Sequence, residues 1–262
     1  MWRKLGGVMG CLKRLGFVVA AWGCEDPLVA RALVEDYRVL GIVAEPPEVA
    51  VDGVVQVAAA EALPAGATHA WQLCLASFGA GSEYACLEEA IELEAAGPTL
   101  TLDLAALGVA ERLEALATAR GSTLDALLAE GHTLWLELNS GPPQKRVRTV
   151  KRIEVRDTPA QGNPVIEAFS VPATAQVGEK LELSVVASGE ESYTDVTGAT
   201  VDEELLFAWY TTAGHVDPHR TAGSDRSVAL RLPAEPGPVW VYVTVRDGRG
   251  GFAVAEAVIE VR

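Results

Sequence analysis

The sequence predicts an all-β protein of two tandem β-sandwiches, the first carrying a helical insertion. Three observations predict it. Runs of β-branched and aromatic residues alternate with polar ones at period two, which puts one face of each run in a core and the other in water. Clusters of Gly, Pro, Asn and Asp punctuate those runs as turns. Tryptophan-centred segments also recur: Thr68-His69-Ala70-Trp71-Gln72-Leu73 parallels Leu206-Phe207-Ala208-Trp209-Tyr210-Thr211, and the run from Thr133 through Trp135 to Gly141 parallels that from Val239 through Trp240 to Gly248. One plan is therefore used twice. Trp71, Trp135, Trp209 and Trp240 are the expected core tryptophans.

The chain opens on residues 1–23, where Arg3, Lys4, Lys13 and Arg14 precede the apolar stretch Leu15 to Ala21. That is the order of a secretory signal, and the stretch is far short of the ~20 residues a spanning helix needs. Met9 is an alternative start that keeps two basic residues and the apolar run. Ala21-Trp22-Gly23-Cys24 resembles a bacterial lipobox, with Ala21 where that motif usually has Leu. The resemblance implies cleavage before Cys24, diacylation of its sulfur, and a lipid-anchored place in a bacterial cell envelope, at the outer membrane on its periplasmic or surface face. Residues 24–36, opened by Glu25, Asp26 and Pro27, read as a tether with a helical turn around Leu28 to Val34.

The first domain is expected over residues 37–157. It begins with Arg38 to Ala44 before Pro46-Pro47. Removing the signal leaves only Cys74 and Cys86 in the folded body, and in an oxidising compartment they should form a disulfide. A loop of that length stabilises by about 3 kcal/mol in the chain-entropy account. The alternative is a zinc site, with His69 as the only nearby further ligand. Trp71 and Trp135 lie about twice as far apart as Trp209 and Trp240, so an insertion separates them. Leu107, Leu113, Leu116, Leu124, Leu127 and Leu128, broken by Gly121, place it as two helices at about 105–130, the second capped by Ser122. The strand-like run Arg148 to Arg156 carries a basic stripe, Lys145-Arg146-Val147-Arg148 and Lys151-Arg152. It reads as an edge strand protected by charge, or alternatively as a patch for an anionic glycan or an acidic partner.

Residues 158–164 read as a short stiff linker, and residues 165–262 as the second domain. There Val165 to Val171 precedes Pro172; Leu181, Leu183, Val185 and Ala187 alternate with polar residues; and Val239, Val241, Val243 and Val245 share a strand face opposite Trp240, Tyr242 and Thr244. Arg246 to Gly251 is a glycine-rich hairpin leading to Phe252 to Val261. With Trp209 on a central strand and Val243-x-Val245-x-Asp247-Gly248 late in the chain, residues 163–262 resemble bacterial immunoglobulin-like domains of the polycystic-kidney-disease or cadherin-like type. The whole chain resembles bacterial cell-surface lipoproteins with tandem immunoglobulin-like domains, which carry the segment Arg-Val-Leu-x-x-x-Ala-Glu-Pro-Pro-Glu-Val, here Arg38 to Val49. These resemblances imply fold and location only.

Chemistry-bearing patterns are few. His215-Val216-Asp217-Pro218-His219 lacks a full zinc ligand set. Asp157 and Asn163 sit where a cadherin-type joint would hold calcium, without that family's dense Asp/Asn signature. Glu88-Glu89, Glu190-Glu191 and Glu203-Glu204 are adjacent pairs, which strand geometry sends to opposite faces; they read as solvated charges. No nucleophile elbow or phosphate-binding loop occurs. The net charge of −15, more negative still without the basic signal, excludes nucleic acid as a partner. The expectation is a non-catalytic binding or scaffold module without cofactor or metal, held to the membrane by its lipid and facing a protein or glycan partner. Its distinctive surface would be the loop Cys74 to Cys86 with the insert Leu107 to Leu128. Alternatives are an accessory subunit of an envelope secretion or motility complex, or a polysaccharide- or peptide-processing enzyme.

Overall fold

The computed structural model describes residues 32–194 and 198–262. Cys24, the signal segment and tether residues 24–31 lie outside the described residues. In the first domain the elements are β1 (Arg38–Glu45), β2 (Glu48–Val49), β3 (Val54–Ala62), β4 (Thr68–Cys74), β5 (Ile91–Leu93), β6 (Thr99–Asp103), α1 (Val109–Ala119), α2 (Leu124–Glu130), β7 (His132–Gly141) and β8 (Val147–Val155). They form one sheet in the order β1-β3-β6 and another in the order β2-β8-β7-β4-β5.

The second domain repeats this plan with β9 (Val165–Ser170), β10 (Thr174–Ala175), β11 (Lys180–Ser188), β12 (Ser192–Thr194), β13 (Thr200–Asp202), β14 (Leu206–Thr211), β15 (His215–Asp217), β16 (Arg220–Ala222), β17 (Ser227–Arg231), β18 (Gly237–Arg246) and β19 (Phe252–Val261). Its sheets run β10-β19-β18-β14-β16 and β15-β17-β11-β9, with β12-β13 a separate hairpin. In both domains proline breaks the opening strand, because it has no N–H for the ladder. The chain then crosses to the opposite sheet and pairs parallel with the last strand, β2 on β8 and β10 on β19. That strand switch in an otherwise antiparallel sandwich makes both domains immunoglobulin-like, and the protein all-β.

The two tryptophan pairs occupy matching positions. Trp71 faces Leu138 across β4 and β7, and Trp209 faces Val243 across β14 and β18. Both are buried, and each indole N–H finds an acceptor: the Gly97 carbonyl at 2.9 Å for Trp71 and Thr221 Oγ1 at 3.3 Å for Trp209. Trp135 and Trp240 depart from the expected core position. The core face of β7 is held by Leu134, Leu136 and Leu138, and that of β18 by Val239, Val241, Val243 and Val245. A residue between two inward neighbours points outward, so Trp240 is 38% exposed and Trp135 only half-buried.

The helical insert lies between β6 and β7. Val109, Leu113 and Ala117, spaced four apart on α1, are buried with Leu128 of α2, and all but Ala117 belong to the first domain's main apolar cluster. The insert thus covers its own sandwich. Gly121, at φ +73°, ends α1, as a left-handed residue after a helix does. The cap of α2 is Thr123 rather than Ser122: its hydroxyl accepts from Ala126 N at 3.2 Å.

The tether ends earlier than the sequence suggests. Ala32 and Val34 are buried, and this segment pairs with the second domain before the chain enters the first: Val34 N donates to Thr211 O at 2.8 Å and Thr211 N to Ala32 O at 3.0 Å. Val34, Leu40 and Ala62 then form one apolar cluster with Tyr242, flanked by Tyr210 and Val254. Residues 32–41 therefore lie across the outer face of the β14-β18-β19 layer, and the domains stand side against side.

Candidate binding cleft at the domain joint

The linker is fastened to both domains. Glu48, buried at the end of the first strand pair, accepts Ala160 N at 2.6 Å and Gln161 N at 2.9 Å, and its other oxygen meets Arg156 Nε at 2.6 Å. Asn163 spends its whole amide: Nδ2 donates to Ala44 O at 2.7 Å and to the Glu45 carboxylate at 2.6 Å, while Oδ1 accepts Phe252 N at 2.9 Å. Asp247 is a buried carboxylate folding the 247–251 hairpin around itself. It accepts Arg249 N at 2.8 Å, Gly250 N and Gly251 N at 2.9 Å, and Gln161 Nε2 from the linker at 2.7 Å. A side chain at Gly251 would stand 2.1 Å from Asp247 Oδ2, so only glycine closes this turn.

Above this joint opens a cavity of about 500 Å³, lined by β1, β8, the 247–251 hairpin and the start of β19. Trp135 and Tyr84 supply an aromatic wall, their rings stacked at 4.6 Å between centroids and 27° between planes. Lys151, Arg152 and Arg246 supply its charge, and no carboxylate is among the described residues that line it. Lys151, 8% exposed, donates from Nζ to Gly250 O across the joint. Arg152 Nη2 donates to Arg249 O and Arg246 Nη2 to Leu40 O, both at 3.3 Å. Burial pushes the Lys151 ammonium down to about 8, with Arg246 and Arg152 adding to the fall and Asp247 opposing it. A second cavity of about 1020 Å³ in the first domain has the opposite character: Glu45, Glu92, Glu94 and Asp103 rim it and no cation does.

The other candidate residues fall as follows. Cys74 and Cys86 form a disulfide, with Cα atoms 5.4 Å apart. His69 turns from the sulfurs to Glu61 at 2.8 Å, so the zinc alternative is set aside. Along the basic stripe β8 pairs with β7 on one side only, since β2 meets just Glu154 and Val155 beyond it, which fits the charged-edge reading; the Lys151 and Arg152 side chains of that stretch reach the second domain. Lys145 is paired with Asp36 and Arg148 with Glu137. Nor are Glu190, Glu191 and Glu203 free solvated charges, since they hold Arg226 and Arg249. His215 and Asp217 sit exposed on either side of buried Val216, and among the described residues no three His, Cys, Asp or Glu side chains converge as a metal site. The cleft itself was missed in sequence; its only signal was the basic stripe.

No family model and no curated protein matches the chain. Among solved structures it is similar to a nucleoside hydrolase-related hypothetical protein from Saccharophagus degradans associated with carbohydrate metabolism, at 18% identity over 42% of this chain and 28% of that one, TM-score 0.30. It is similar to three N-terminal domains of the highly immunogenic outer capsid protein of bacteriophage RB49, at 13% identity over 86% and 59%, TM-score 0.25. It is also similar to the N-terminal Ig1-2 module of the Drosophila receptor tyrosine phosphatase DLAR, at 12% identity over 87% and 99%, TM-score 0.31. The chain thus spans less than two thirds of the first two. The class its own sheets define is a tandem immunoglobulin-like protein, an architecture consistent with a binding or scaffold module.

Proposed function

We propose that the chain is a non-catalytic, lipid-anchored protein of a bacterial cell envelope, whose paired domains act as one binding module. The observation that carries the reading is the joint. A flexible pair would leave the linker polar groups to water, whereas here Glu48, Asn163 and Asp247 tie it to both domains and enclose a cleft that neither domain could form alone. Export and anchoring rest on the signal order of residues 1–23 and the lipobox-like Ala21 to Cys24, and the Cys74–Cys86 disulfide suits an oxidising compartment. Glu190, Glu191 and Glu203 are spent on arginines, a structural use of those carboxylates.

Mass spectrometry of the N-terminus, on chain isolated from its native membranes, tests the anchoring. A diacylated Cys24 is expected; an intact Met1 or Met9 overturns it. Affinity capture from the same membranes tests the binding role, with a co-purifying protein or glycan expected. A monomer carrying neither overturns it, and a stoichiometric set of envelope subunits would turn the reading to an accessory part of a larger complex.

A further inference from the structure

We propose that the cleft between the domains binds an acidic sugar unit, a uronate-bearing residue of a glycan, with its carboxylate against Lys151, Arg152 and Arg246 and its ring face against the Trp135–Tyr84 wall. This rests on the binding-module reading above and names its ligand class.

The charge argument comes first. The protein carries a net charge of −15, yet three cations meet in one cavity with no carboxylate on its described lining. Five cations elsewhere, Lys145, Arg148, Arg156, Arg226 and Arg249, have a carboxylate oxygen within 4.0 Å, while others such as Arg146, Lys180 and Arg231 have no such pair among the described residues. Lys151, Arg152 and Arg246 have none among them either; each makes a single hydrogen bond, to a backbone carbonyl. Those bonds fix the three heads in place while leaving most of their donors unspent, since an ammonium has three and a guanidinium five. Of the three only Lys151 is buried, and the Asp247 charge behind the hairpin offsets just part of the cost of sinking its ammonium, whose pKa still falls to about 8. An incoming anion would remove that cost, and a planar carboxylate matches the guanidinium fork in particular.

The aromatic wall then narrows the anion. A bare phosphate or carboxylate has no use for stacked indole and phenol rings. A sugar has a C–H face that packs on the negative face of a π-system, while its ring substituents reach the surrounding polar groups. The hairpin beside the wall presents Gly248, Gly250 and Gly251, so backbone there is unshielded by side chains. A volume of about 500 Å³ suits a short saccharide. Polyanions of high charge density are disfavoured by the repulsion of the acidic body; a glycan with one charge per ring, read one unit at a time, meets far less. At neutral pH Lys151 remains protonated, its pKa lying near 8.

The test is calorimetry on the full chain purified in detergent, with trigalacturonate, maltotriose and triglutamate as probes. Trigalacturonate is expected to bind at least tenfold more tightly than the other two, and to weaken tenfold or more in Trp135→Ala and in the double variant Arg152→Gln, Arg246→Gln. Arg152→Gln alone, at an exposed position, keeps the test open if Trp135→Ala disturbs the fold by circular dichroism. Triglutamate binding within threefold of trigalacturonate would assign the site to acidic peptide and overturn the proposal. So would equal binding of maltotriose, or no binding of trigalacturonate at millimolar concentration. Because the assay is independent of Cys24 and of membrane capture, a failure here leaves the anchored-module reading to stand or fall on its own experiments.

Discussion

At the residue scale, two buried groups decide how stability responds to mutation and to pH. Tyr37 Oη bonds Glu61 Oε1 at 2.5 Å and Ser140 Oγ at 2.6 Å, and the same Glu61 oxygen meets His69 Nε2. Tyr37→Phe would strip a donor from a shielded carboxylate. A loss of about 1–3 kcal/mol is expected, read from the urea midpoint. Burial and the Glu61 bond also raise the Tyr37 phenol well above its usual value of 10.0. The unfolded chain therefore ionises there first, and this contribution fades as pH rises above about 10. Lys151 acts in the opposite sense. Its folded value lies near 8 against 10.5 unfolded, set by burial among Asp247, Arg246 and Arg152. The burial penalty is complete below pH 8, where both states are charged, and is relieved as pH climbs toward 10.5, where the unfolded state alone holds the proton. Stability should rise by about 2 kcal/mol between pH 7 and 10, and Lys151→Met should flatten that rise. Only five lysines occur in the whole chain, so few other groups blur the measurement. A wild-type profile falling steadily from pH 8 to 10 would refute it.

At the element scale, the disulfide loop shows how a local link shapes a distant surface. Cys86 is tied back to the end of β4, Ser77 bridges to Cys86, and Tyr84 is thereby laid on Trp135 of β7. Replacing both cysteines by Ala should cost about 3 kcal/mol and lower near-ultraviolet dichroism as the Tyr84–Trp135 stack loosens. An unchanged aromatic signal would mean that other bonds hold the loop, such as Arg148 to Glu83 O. The strands themselves were legible in sequence because their cause is local: period-two burial and proline breaks mark Leu181 to Ala187 and Val239 to Val245 directly. The outward turn of Trp135 and Trp240 follows from the same period, which outranks the large apolar area of an indole. The covering role of the insert was legible too, from leucines at helical spacing. Its cap at Thr123 was not, because Ser122 and Thr123 offer the same chemistry one residue apart.

At the scale of the whole molecule, the joint was illegible in sequence. Its bonds connect residues about a hundred or more positions apart, as in Lys151 with Gly250, Glu48 with Gln161, and Arg246 with Leu40. Asp247-Gly248 is readable as a turn, but nothing local says that the buried carboxylate also takes the Gln161 amide, or that residues 32–34 will extend the second domain. One close approach gives access to this level. At Gly41 an added Cβ would stand 2.4 Å from the Phe252 ring, and Phe252 is itself buried under the Arg246 guanidinium, 5.3 Å from its ring centre. Gly41→Val should therefore force β1 from β19 while leaving each sandwich core untouched, since neither Gly41 nor Phe252 belongs to the two main apolar clusters. Two domains sharing an interface unfold together, and domains that lose it melt separately. Calorimetry of the wild type should show one transition and of Gly41→Val two, with small-angle scattering reporting a larger radius of gyration. Because Lys151, Arg246 and the hairpin reach the cleft from opposite sides of that interface, the same substitution should abolish binding of trigalacturonate. A variant that melted in two steps yet bound as tightly as wild type would place the ligand within one domain rather than between them.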